Sequence, residues 1–577
     1  MAGSYWDKFT RRRITRRRML QSTGVAGAAA GAIWLVGCGD DDDGNGGNGN
    51  GNGTPGTGPT QAAGTPVRGG RYQVGSTADF DTFDPHLAIA AAVGYFPRLY
   101  NVLVNFSSLD SEFRFDDLST EFEQPDETTY IFTIRPGVKV GPNPLGVPER
   151  DLDASDVVAS YERIKALPQS NAYAFIGQWV ASQEASADNM TYTLTTPKPY
   201  AFFRDRIGSA INTIVPKEAL EPGTVDRLLT NAAGAGPYVL RPDSYTEGQG
   251  AVLDSNPNYY RTDENNNNEK VPYVDGIDVK IIMARESIRT AFIDEQLDVY
   301  GAQNVDEAND LQRRNSNYQV VRDPVNTFIS FTMNPTKEPW TDARIRKAAM
   351  HAIDRQEYID RVYSGEAQAN GLLHWPLGDI ALPAEERDEL QKFDPELSRQ
   401  LIREATGQDT IRVRVMYPAE STVEEHNLHL PIWLQQMERA GFEIDAEPLD
   451  FTTWLDRYTN VNYDASLALN QVYEYAEFNL DWQHSEGPAR NGIYATGVGA
   501  VVPEIDAEID RVKSLTDPEE FKSAIHALQR MIYEAGPTFL PLVSPYSFTL
   551  YQPWVKNIPQ GLGSSGLYLN TWWLDKA

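Results

Sequence analysis

The stretch Trp340-Thr341-Asp342-Ala343-Arg344-Ile345-Arg346-Lys347-Ala348, which continues to Ala352-Ile353-Asp354-Arg355, has the clearest structural pattern in the chain. Thr341 and Asp342 provide side-chain oxygens that can cap the start of a helix. The apolar residues that follow recur at i, i+3, i+4, i+7 and i+8; they are Ile345, Ala348, Ala349, Ala352 and Ile353. This spacing predicts a helix with one apolar stripe facing a core.

Two further helices are marked by the same kind of signal. Asp394-Pro395-Glu396 begins one of them and Gly407 ends it, because proline suits the first helical turn and glycine the position after the last. Asp517-Pro518 and Gly536-Pro537 bound the other. The apolar residues inside the two helices are Leu397, Leu401, Ile402 and Ala405, and Phe521, Ile525, Leu528 and Ile532.

Strictly alternating segments predict strands between the helices. Residues 130–134 place Tyr130, Phe132 and Ile134 on one face, and residues 191–195 are the expected neighbour in a sheet. Ile277, Val279 and Ile281 form another such face. A helix is expected at about 286–296, and a short strand at 297–300.

A β-α-β unit is predicted at 411–446. Ile411, Val413 and Val415 alternate as the first strand, and Phe442, Ile444 and Ala446 as the second. Ser421 and Glu424 have the spacing of a capping box for the helix between them. Pro431 leaves two alternatives, a helix that kinks there or a helix that begins near it. Helices and strands in this order predict an α/β protein.

Composition limits what such a protein can bind. The chain has 577 residues, which suggests three to four domains or two large lobes, and 41% of the residues are hydrophobic. Its net charge is −30, but residues 1–38 carry seven basic residues and one acidic residue, so the remainder stands at −36. A body this acidic repels phosphate backbones, which argues against nucleic-acid binding. One cysteine excludes an intrachain disulfide and a cysteine-rich zinc site.

The N-terminus has the features of an export signal. Basic residues end at Arg18, and a nearly uncharged run over 24–37 follows, too short to span a bilayer. Residues 15–21 resemble a twin-arginine motif, and Leu35-Val36-Gly37-Cys38 resembles the lipobox of bacterial lipoproteins, in which the cysteine is acylated. The alternative for Cys38 is a buried free thiol. Residues 39–66 are rich in Asp, Gly, Asn, Thr and Pro and are expected to form a flexible tether about 30 Å long.

Motifs that would indicate catalysis are missing from the sequence. It contains no GxxxxGK[ST] loop, no GxSxG elbow and no HExxH pair. The GxGxxG strings that begin at Gly44 and Gly561 lie in low-complexity sequence and at the chain end. His426-x-x-His429 could provide half of a metal site, although an exposed polar helix face gives the same string. We therefore expect no enzyme activity, no cofactor and no metal.

The order of several short motifs resembles bacterial extracellular solute-binding proteins of family 5, the oligopeptide-, dipeptide- and nickel-binding lipoproteins of ABC importers. The resemblance covers about residues 68–577. The motifs are Arg68-Gly69-Gly70-Arg71, Phe83-Asp84-Pro85-His86, residues 130–138, Asp153-Ala154-Ser155-Asp156-Val157, Gly234-Ala235-Gly236-Pro237-Tyr238, Tyr273-Val274-Asp275-Gly276-Ile277 and the stretch 340–355. Gly236 and Gly276 within them are expected at turns.

The resemblance implies a two-lobed periplasmic-binding-protein-like fold of the class with an extra subdomain, closing on a ligand held in the cleft between the lobes. The signal peptide and the tether take up residues 1–38 and 39–66, and the resemblance implies lobe I at 67–325 with its extra subdomain at about 106–234. Lobe II follows at 326–520, and 521–577 is the return to lobe I.

The resemblance also implies a function without chemistry. The chain would be a monomeric, lipid-anchored protein outside the cytoplasmic membrane that delivers peptides or a similar small solute to an ABC permease. A secreted hydrolase and a sensory binding protein without a permease are the alternatives. The residues leave open whether the solute is a peptide, sugar, opine or metal chelate.

Peptide-binding relatives carry an acid in a W-x-x-Asp-Tyr loop that pairs with the peptide amino terminus. Residues 470–475 resemble that loop, with Glu474 in place of the aspartate and without the tryptophan. Glu474 could pair with an ammonium group or be an ordinary exposed acid. The aromatic residues Tyr473, Tyr475, Trp482 and Trp375 are the other ligand-binding candidates, with core packing as the alternative.

Overall fold

The computed structural model describes residues 64–88, 94–107, 112–115, 117–324, 327–373, 380–419, 424–471, 476–487, 502–558 and 570–576. The signal peptide, Cys38, most of the tether, Ser421 and both GxGxxG strings lie outside these ranges. The expectations for them remain predictions.

The described helices are distributed along the whole body and alternate with strands. They are Phe96–Leu99, Ala154–Lys165, Tyr173–Trp179, Phe203–Ile207, Arg285–Ile293, Val305–Arg314, Ala343–His351, Arg355–Arg361, Ala384–Leu390, Pro395–Thr406, Glu424–Arg439, Phe451–Thr459, Ala476–Asp481, Pro503–Val512 and Pro518–Ala535, with 3₁₀ helices at Lys217–Leu220 and Val225–Leu229. None of these described helices is long and apolar enough to cross a bilayer.

Four sheets organise the fold, and we name each by its place. The N-terminal sheet has the order Arg71–Ser76, Gly276–Ile281, Gly250–Ser255, Tyr238–Leu240, and the insert sheet the order Ser119–Glu123, Thr129–Ile134, Thr191–Thr195, Ser182–Ala185. The bridging sheet has the order Val299–Ala302, Val543–Tyr551, Gln319–Pro324, with Ala367–Ala369 also paired to Val543–Tyr551. The large sheet has the order Phe442–Leu449, Ile411–Pro418, Ala465–Gln471, Thr327–Met333, Phe539–Pro541.

Three two-stranded ladders complete the described strands. They are Asn105–Ser107 with Glu112–Arg114, Thr262–Asp263 with Glu269–Lys270, and Val555–Lys556 with Trp573–Leu574.

The helix capped by Asp342 forms as predicted. The Asp342 carboxylate accepts a hydrogen bond from the backbone N–H of Arg344, and the apolar stripe is buried. Asp394 and Asp517 cap the other two helices in the same way, each accepting from the N–H three residues on. Gly407 ends its helix in the left-handed conformation, at a φ of 74°.

The β-α-β unit is confirmed. Strand Ile411–Pro418 runs parallel to Phe442–Leu449, and helix Glu424–Arg439 connects them. Pro431 lies inside this helix, so the alternative of a helix that begins near it is wrong.

Two elements differ slightly from the sequence expectation. The helix expected at 286–296 ends at Ile293, and the strand expected at 297–300 is Val299–Ala302. Glu295 adopts a left-handed φ of 61°, which ends the helical path and turns the chain. The strand then begins where Val299 pairs with Tyr551 of the bridging sheet.

The chain passes between the bridging sheet and the large sheet more than twice. It first enters the large sheet between Pro324 and Thr327 and last leaves it between Pro541 and Val543, and strand Ala367–Ala369 returns to the bridging sheet in between. We call the first and the last of these passages the two crossings. The return to lobe I was expected at 521. Strand Phe539–Pro541, later in the chain than that boundary, still pairs with Thr327–Met333 in the large sheet.

Helix Pro518–Ala535 comes before the second crossing in the sequence and packs with the part of the chain that carries the large sheet. Its end is fixed by the buried Arg346, whose guanidinium donates to the carbonyls of Ala535 and Gly536.

A buried ion pair joins the segment after strand Arg71–Ser76 to the insert, the name we give to the insert sheet with the helices that accompany it, residues 119–207. Asp84 is fully buried, and its carboxylate accepts two hydrogen bonds from Arg163 of helix Ala154–Lys165, the Nη1 one at 2.8 Å. It also accepts the backbone N–H of His86 at 3.1 Å. Burial, followed by the nearby Arg163 charge, lowers the pKa of His86 to about 4, so this imidazole is neutral at pH 7.

The glycines of the Gly234-Ala235-Gly236 motif are required by close packing. A Cβ on Gly234 would lie 2.1 Å from the Leu99 carbonyl oxygen, and one on Gly236 would lie 2.7 Å from that of Arg98. Gly236 lies at a bend, as expected, but the expectation of a turn at Gly276 is wrong. Gly276 is the first residue of a strand, where a Cβ would lie 2.2 Å from the Leu253 carbonyl oxygen.

Candidate functional site

The structure describes one of the five residues predicted to bind ligand. Trp482 is buried, at 3% exposure, and its ring packs on Phe539 of the large sheet with centroids 4.1 Å apart. Trp375 and residues 473–475 lie outside the described residues, so the grouping of these side chains stays a prediction. Core packing, the alternative considered for the aromatic residues, accounts for the contact that Trp482 makes.

The described residues place the ends of the predicted ligand segment. Strand Ala465–Gln471 ends at Gln471, which pairs with Thr327, the first residue after the chain enters the large sheet. Helix Ala476–Asp481 begins after the segment. The predicted ligand segment therefore starts at the end of the central strand of the large sheet, next to the first crossing. Ligand sites are common at such junctions between two parts of a fold.

A buried cluster of charged and polar side chains lies directly after this segment, and we call it the junction cluster. It consists of Tyr200, Arg206, Glu477, Asp481 and Lys513. All four charged side chains are at most 4% exposed. The Lys513 ammonium lies 3.1 Å from the Glu477 carboxylate and also contacts Asp481, and Arg206 Nε lies 3.5 Å from Glu477. The Tyr200 hydroxyl donates to Glu477.

The junction cluster is electrically balanced, with two cations and two carboxylates. Burial alone raises the pKa of Glu477, but Lys513, Arg206 and the Tyr200 hydrogen bond outweigh it and hold this pKa below its ordinary value. Burial likewise lowers the pKa of Lys513, and Asp481 and Glu477 outweigh that effect and raise it. Both partners are therefore ionised at neutral pH, because each stabilises the charge of the other.

The cluster joins two separate parts of the fold. Tyr200 and Arg206 follow the insert strand Thr191–Thr195, and the neighbouring Phe203 stacks on Tyr130 of the insert sheet with centroids 3.4 Å apart. Glu477 and Asp481 belong to the helix that follows strand Ala465–Gln471 of the large sheet. The junction cluster is therefore a contact between the insert and the part of the chain built on the large sheet.

Three neighbouring contacts run across the same junction. The backbone N–H of Ala201 donates to the Lys513 carbonyl at 2.8 Å, and Phe202 meets Phe521 edge to face with centroids 5.3 Å apart. Thr516 donates to Glu127 at 3.1 Å. Trp179 stacks on Tyr200 at 3.7 Å between centroids and covers the cluster on the insert side.

Of the histidine pair considered for half of a metal site, the structure describes the side chain of His429 alone. His429 is fully buried, and its Nε2 lies 2.7 Å from the Tyr363 hydroxyl, which fixes it as a residue of the helix-packing core. The side chain of His426 is not described. No described group of three or more His, Cys, Asp or Glu residues could hold a metal ion.

The sequence matches a known family over most of the described body. The family model "Bacterial extracellular solute-binding proteins, family 5 Middle" matches residues 116–486. The chain belongs to this family. The match includes the insert sheet, the bridging sheet strands Val299–Ala302 and Gln319–Pro324, and the helix that carries Glu477.

A curated family 5 relative supports the same assignment. The Probable D,D-dipeptide-binding periplasmic protein DdpA of Escherichia coli is 26% identical over 304 residues, which cover 51% of this chain and 55% of that protein. This match thus spans about half the length of that relative.

Solved structures share this fold over most of the chain. The periplasmic binding protein DppA of Helicobacter pylori, in complex with the peptide STSA, matches with a TM-score of 0.70 at 18% identity, covering 88% of this chain and 99% of that one. NikA of Brucella suis, in complex with Fe(III)-EDTA, matches with a TM-score of 0.72 at 18% identity, covering 87% and 99%. This chain therefore has the two-lobed α/β fold of the family 5 binding proteins.

The junction cluster was missed by sequence reasoning. Tyr200 and Arg206 are separated from Glu477 by more than 270 residues, and no local pattern links them. Lys513 directly follows helix Pro503–Val512. A basic residue is common at the C-terminal end of a helix because it interacts favourably with the helix dipole, so its presence there gives no sign of a buried cluster. Only the packing of the insert against helix Ala476–Asp481 brings these side chains together.

Proposed function

We propose that this protein is the substrate-binding lipoprotein of an ABC importer, which captures a peptide or a similar small solute outside the cytoplasmic membrane and delivers it to a membrane permease. The observation that carries the proposal is the family match over residues 116–486 on a fold whose two halves are joined at two crossings. A protein of this build can close around a solute and so present a different surface when loaded.

Peptide is the substrate class that we favour. DdpA is named for a dipeptide and the DppA structure holds a tetrapeptide, whereas NikA holds a metal chelate on the same fold. The fold alone therefore does not select the solute. Glu474 supports a peptide, because a carboxylate at the predicted ligand segment can pair with a peptide ammonium group.

Mass spectrometry of material released by denaturing the purified protein tests the substrate class. We expect a family of masses separated by amino-acid residue increments. A single non-peptide mass would keep the transport role and replace the substrate. Turnover of an added peptide by the purified protein would instead favour the hydrolase alternative.

Replacement of Glu474 by glutamine tests the proposed pairing directly. We expect about a tenfold to hundredfold loss of affinity for a bound peptide, corresponding to about 1.5–3 kcal/mol for a hydrogen bond to a charged group. Isothermal titration calorimetry measures it. Glu443→Gln, at an exposed position of strand Phe442–Leu449, is the matched control and should leave affinity unchanged. Equal affinity of the Glu474 variant and the wild type would exclude this role.

We propose that Cys38 carries the lipid anchor and that residues 39–66 act as the tether. Two or more acyl chains anchor a protein stably, at about 0.8 kcal/mol for each buried CH₂ group. We expect Cys38→Ser to remove palmitate labelling of the mature protein in cells and to move the protein from the membrane fraction to the soluble fraction. Thr54→Ser, within the tether, is the control and should stay membrane-bound. Membrane retention of Cys38→Ser would contradict the proposal.

A further inference from the structure

The junction cluster has a high desolvation cost for a contact whose only role is packing. Four charges are removed from water within one contact, and the mutual attraction of buried ions seldom exceeds the loss of their hydration by much. Such a contact is stable only while all its members stay in place. Separation of the two sides would return every charge to water at little net cost.

The position of the cluster explains why a contact that separates at little net cost would be useful. The cluster joins the insert to the large-sheet half. The chain also links the two halves at 324–327 and 541–543, and strand Ala367–Ala369 pairs with Val543–Tyr551 next to the second of these crossings. A rotation about those two crossings would separate Tyr200 and Arg206 from Glu477 and Lys513. The contact is therefore placed where it would form on closure and break on opening.

We propose that the junction cluster is the electrostatic latch of the closed state, formed by Tyr200 and Arg206 from the insert and by Glu477, Asp481 and Lys513 from the large-sheet half. This inference rests on the proposed function, because a latch serves a protein that closes on a solute. The residues of the cluster change solute affinity by changing the fraction of molecules in the closed state, and not through contact with the solute.

Lys513 is the member whose removal disturbs the latch most. Its ammonium contacts both carboxylates, so Lys513→Met leaves Glu477 and Asp481 with Arg206 as the only cation of the cluster. Both carboxylates lie on helix Ala476–Asp481, so opening does not separate them, but it hydrates them, and water screens the repulsion between them. The variant is therefore expected to favour the open state.

A distance measurement tests the latch without any solute. The sequence has one cysteine, so a Cys38→Ser background accepts spin labels at Glu184→Cys on the insert and Glu519→Cys on the other side, both exposed. Pulsed electron resonance then reports the distance between them. We expect Lys513→Met to shift the population toward the longer distance, and Lys165→Met, at an exposed pair with Glu162, to leave it unchanged.

Solute affinity gives the second readout. With a peptide that the wild type binds, we expect Lys513→Met to bind about tenfold more weakly and Tyr200→Phe, which removes only the hydroxyl donor, to fall in between. Unchanged label distances in Lys513→Met would overturn the latch, even if the variant is less stable to heat. A wild type that binds no peptide would reject the proposed substrate, while the label distances would still decide the latch.

Discussion

Replacement of Asp84 by asparagine is expected to lower the free energy of unfolding by about 3–5 kcal/mol, the usual cost of removing one partner from a buried ion pair. The Asp84 carboxylate is fully buried and accepts from both terminal nitrogens of Arg163. An asparagine has one acceptor oxygen and no charge, so the Arg163 guanidinium would keep its burial and lose its counter-ion. Urea unfolding followed by tryptophan fluorescence measures the loss.

The matched control for Asp84 is Asp188, an exposed carboxylate that accepts from the Ser186 hydroxyl and the Met190 N–H. Asp188→Asn should change the free energy of unfolding by no more than about 0.5 kcal/mol, as is usual for surface positions. If Asp84→Asn lowered the free energy of unfolding as little as Asp188→Asn, the ion pair would contribute no net stability. Arg163→Met in the Asp84→Asn background should cost less than Arg163→Met alone, because the two residues act as one unit.

Replacement of Gly234 by alanine is expected to cost about 3 kcal/mol, at the upper end of what overpacking in a filled core costs. The new Cβ would lie 2.1 Å from the Leu99 carbonyl oxygen and 2.8 Å from Cδ1 of Tyr100. Both partners are held in place, since the Leu99 carbonyl accepts the N–H of Gly236 and the Tyr100 hydroxyl donates to the Phe83 carbonyl. The backbone must therefore shift to admit one methyl group.

Gly301 provides the control for this glycine. It lies in strand Val299–Ala302, and a Cβ built on it meets no atom within 4 Å. Gly301→Ala should be neutral or stabilising by up to about 1 kcal/mol, because alanine reduces the freedom of the unfolded chain. The same urea unfolding compares the two variants, and equal stability of both would show that the neighbours of Gly234 yield easily.

Local signals in the sequence predicted the elements well. Aspartate at a helix start followed by proline or by an apolar stripe is sufficient to place Ala343–His351, Pro395–Thr406 and Pro518–Ala535, because capping and amphipathic spacing act within a few residues. The β-α-β unit followed from the same reasoning. The helix nevertheless contains Pro431, since the buried side chains of His429 and Trp433 on either side of it pack in the core and outweigh the local preference.

Pairing between strands that are distant in the sequence could not be predicted from local patterns. The return to lobe I was expected at 521, and no local pattern shows that the later strand Phe539–Pro541 pairs with Thr327–Met333 in the large sheet. Gly276 resembled a turn residue, although its glycine is explained by the approach of the Leu253 carbonyl from the neighbouring strand. The junction cluster depends in the same way on contacts between distant segments. Of the predicted ligand residues, the described structure tests only the location of Trp482.

The order of strands in the bridging sheet has a consequence for biosynthesis. Val543–Tyr551 lies between Val299–Ala302 and Gln319–Pro324, yet it leaves the ribosome roughly 220 residues after the second of them. At about 5–20 residues per second, translation leaves the two outer strands without their central partner for roughly 10–40 s. Their unpaired edges are a hazard for association with other nascent chains during that interval. The bridging sheet is therefore complete only when synthesis is almost finished.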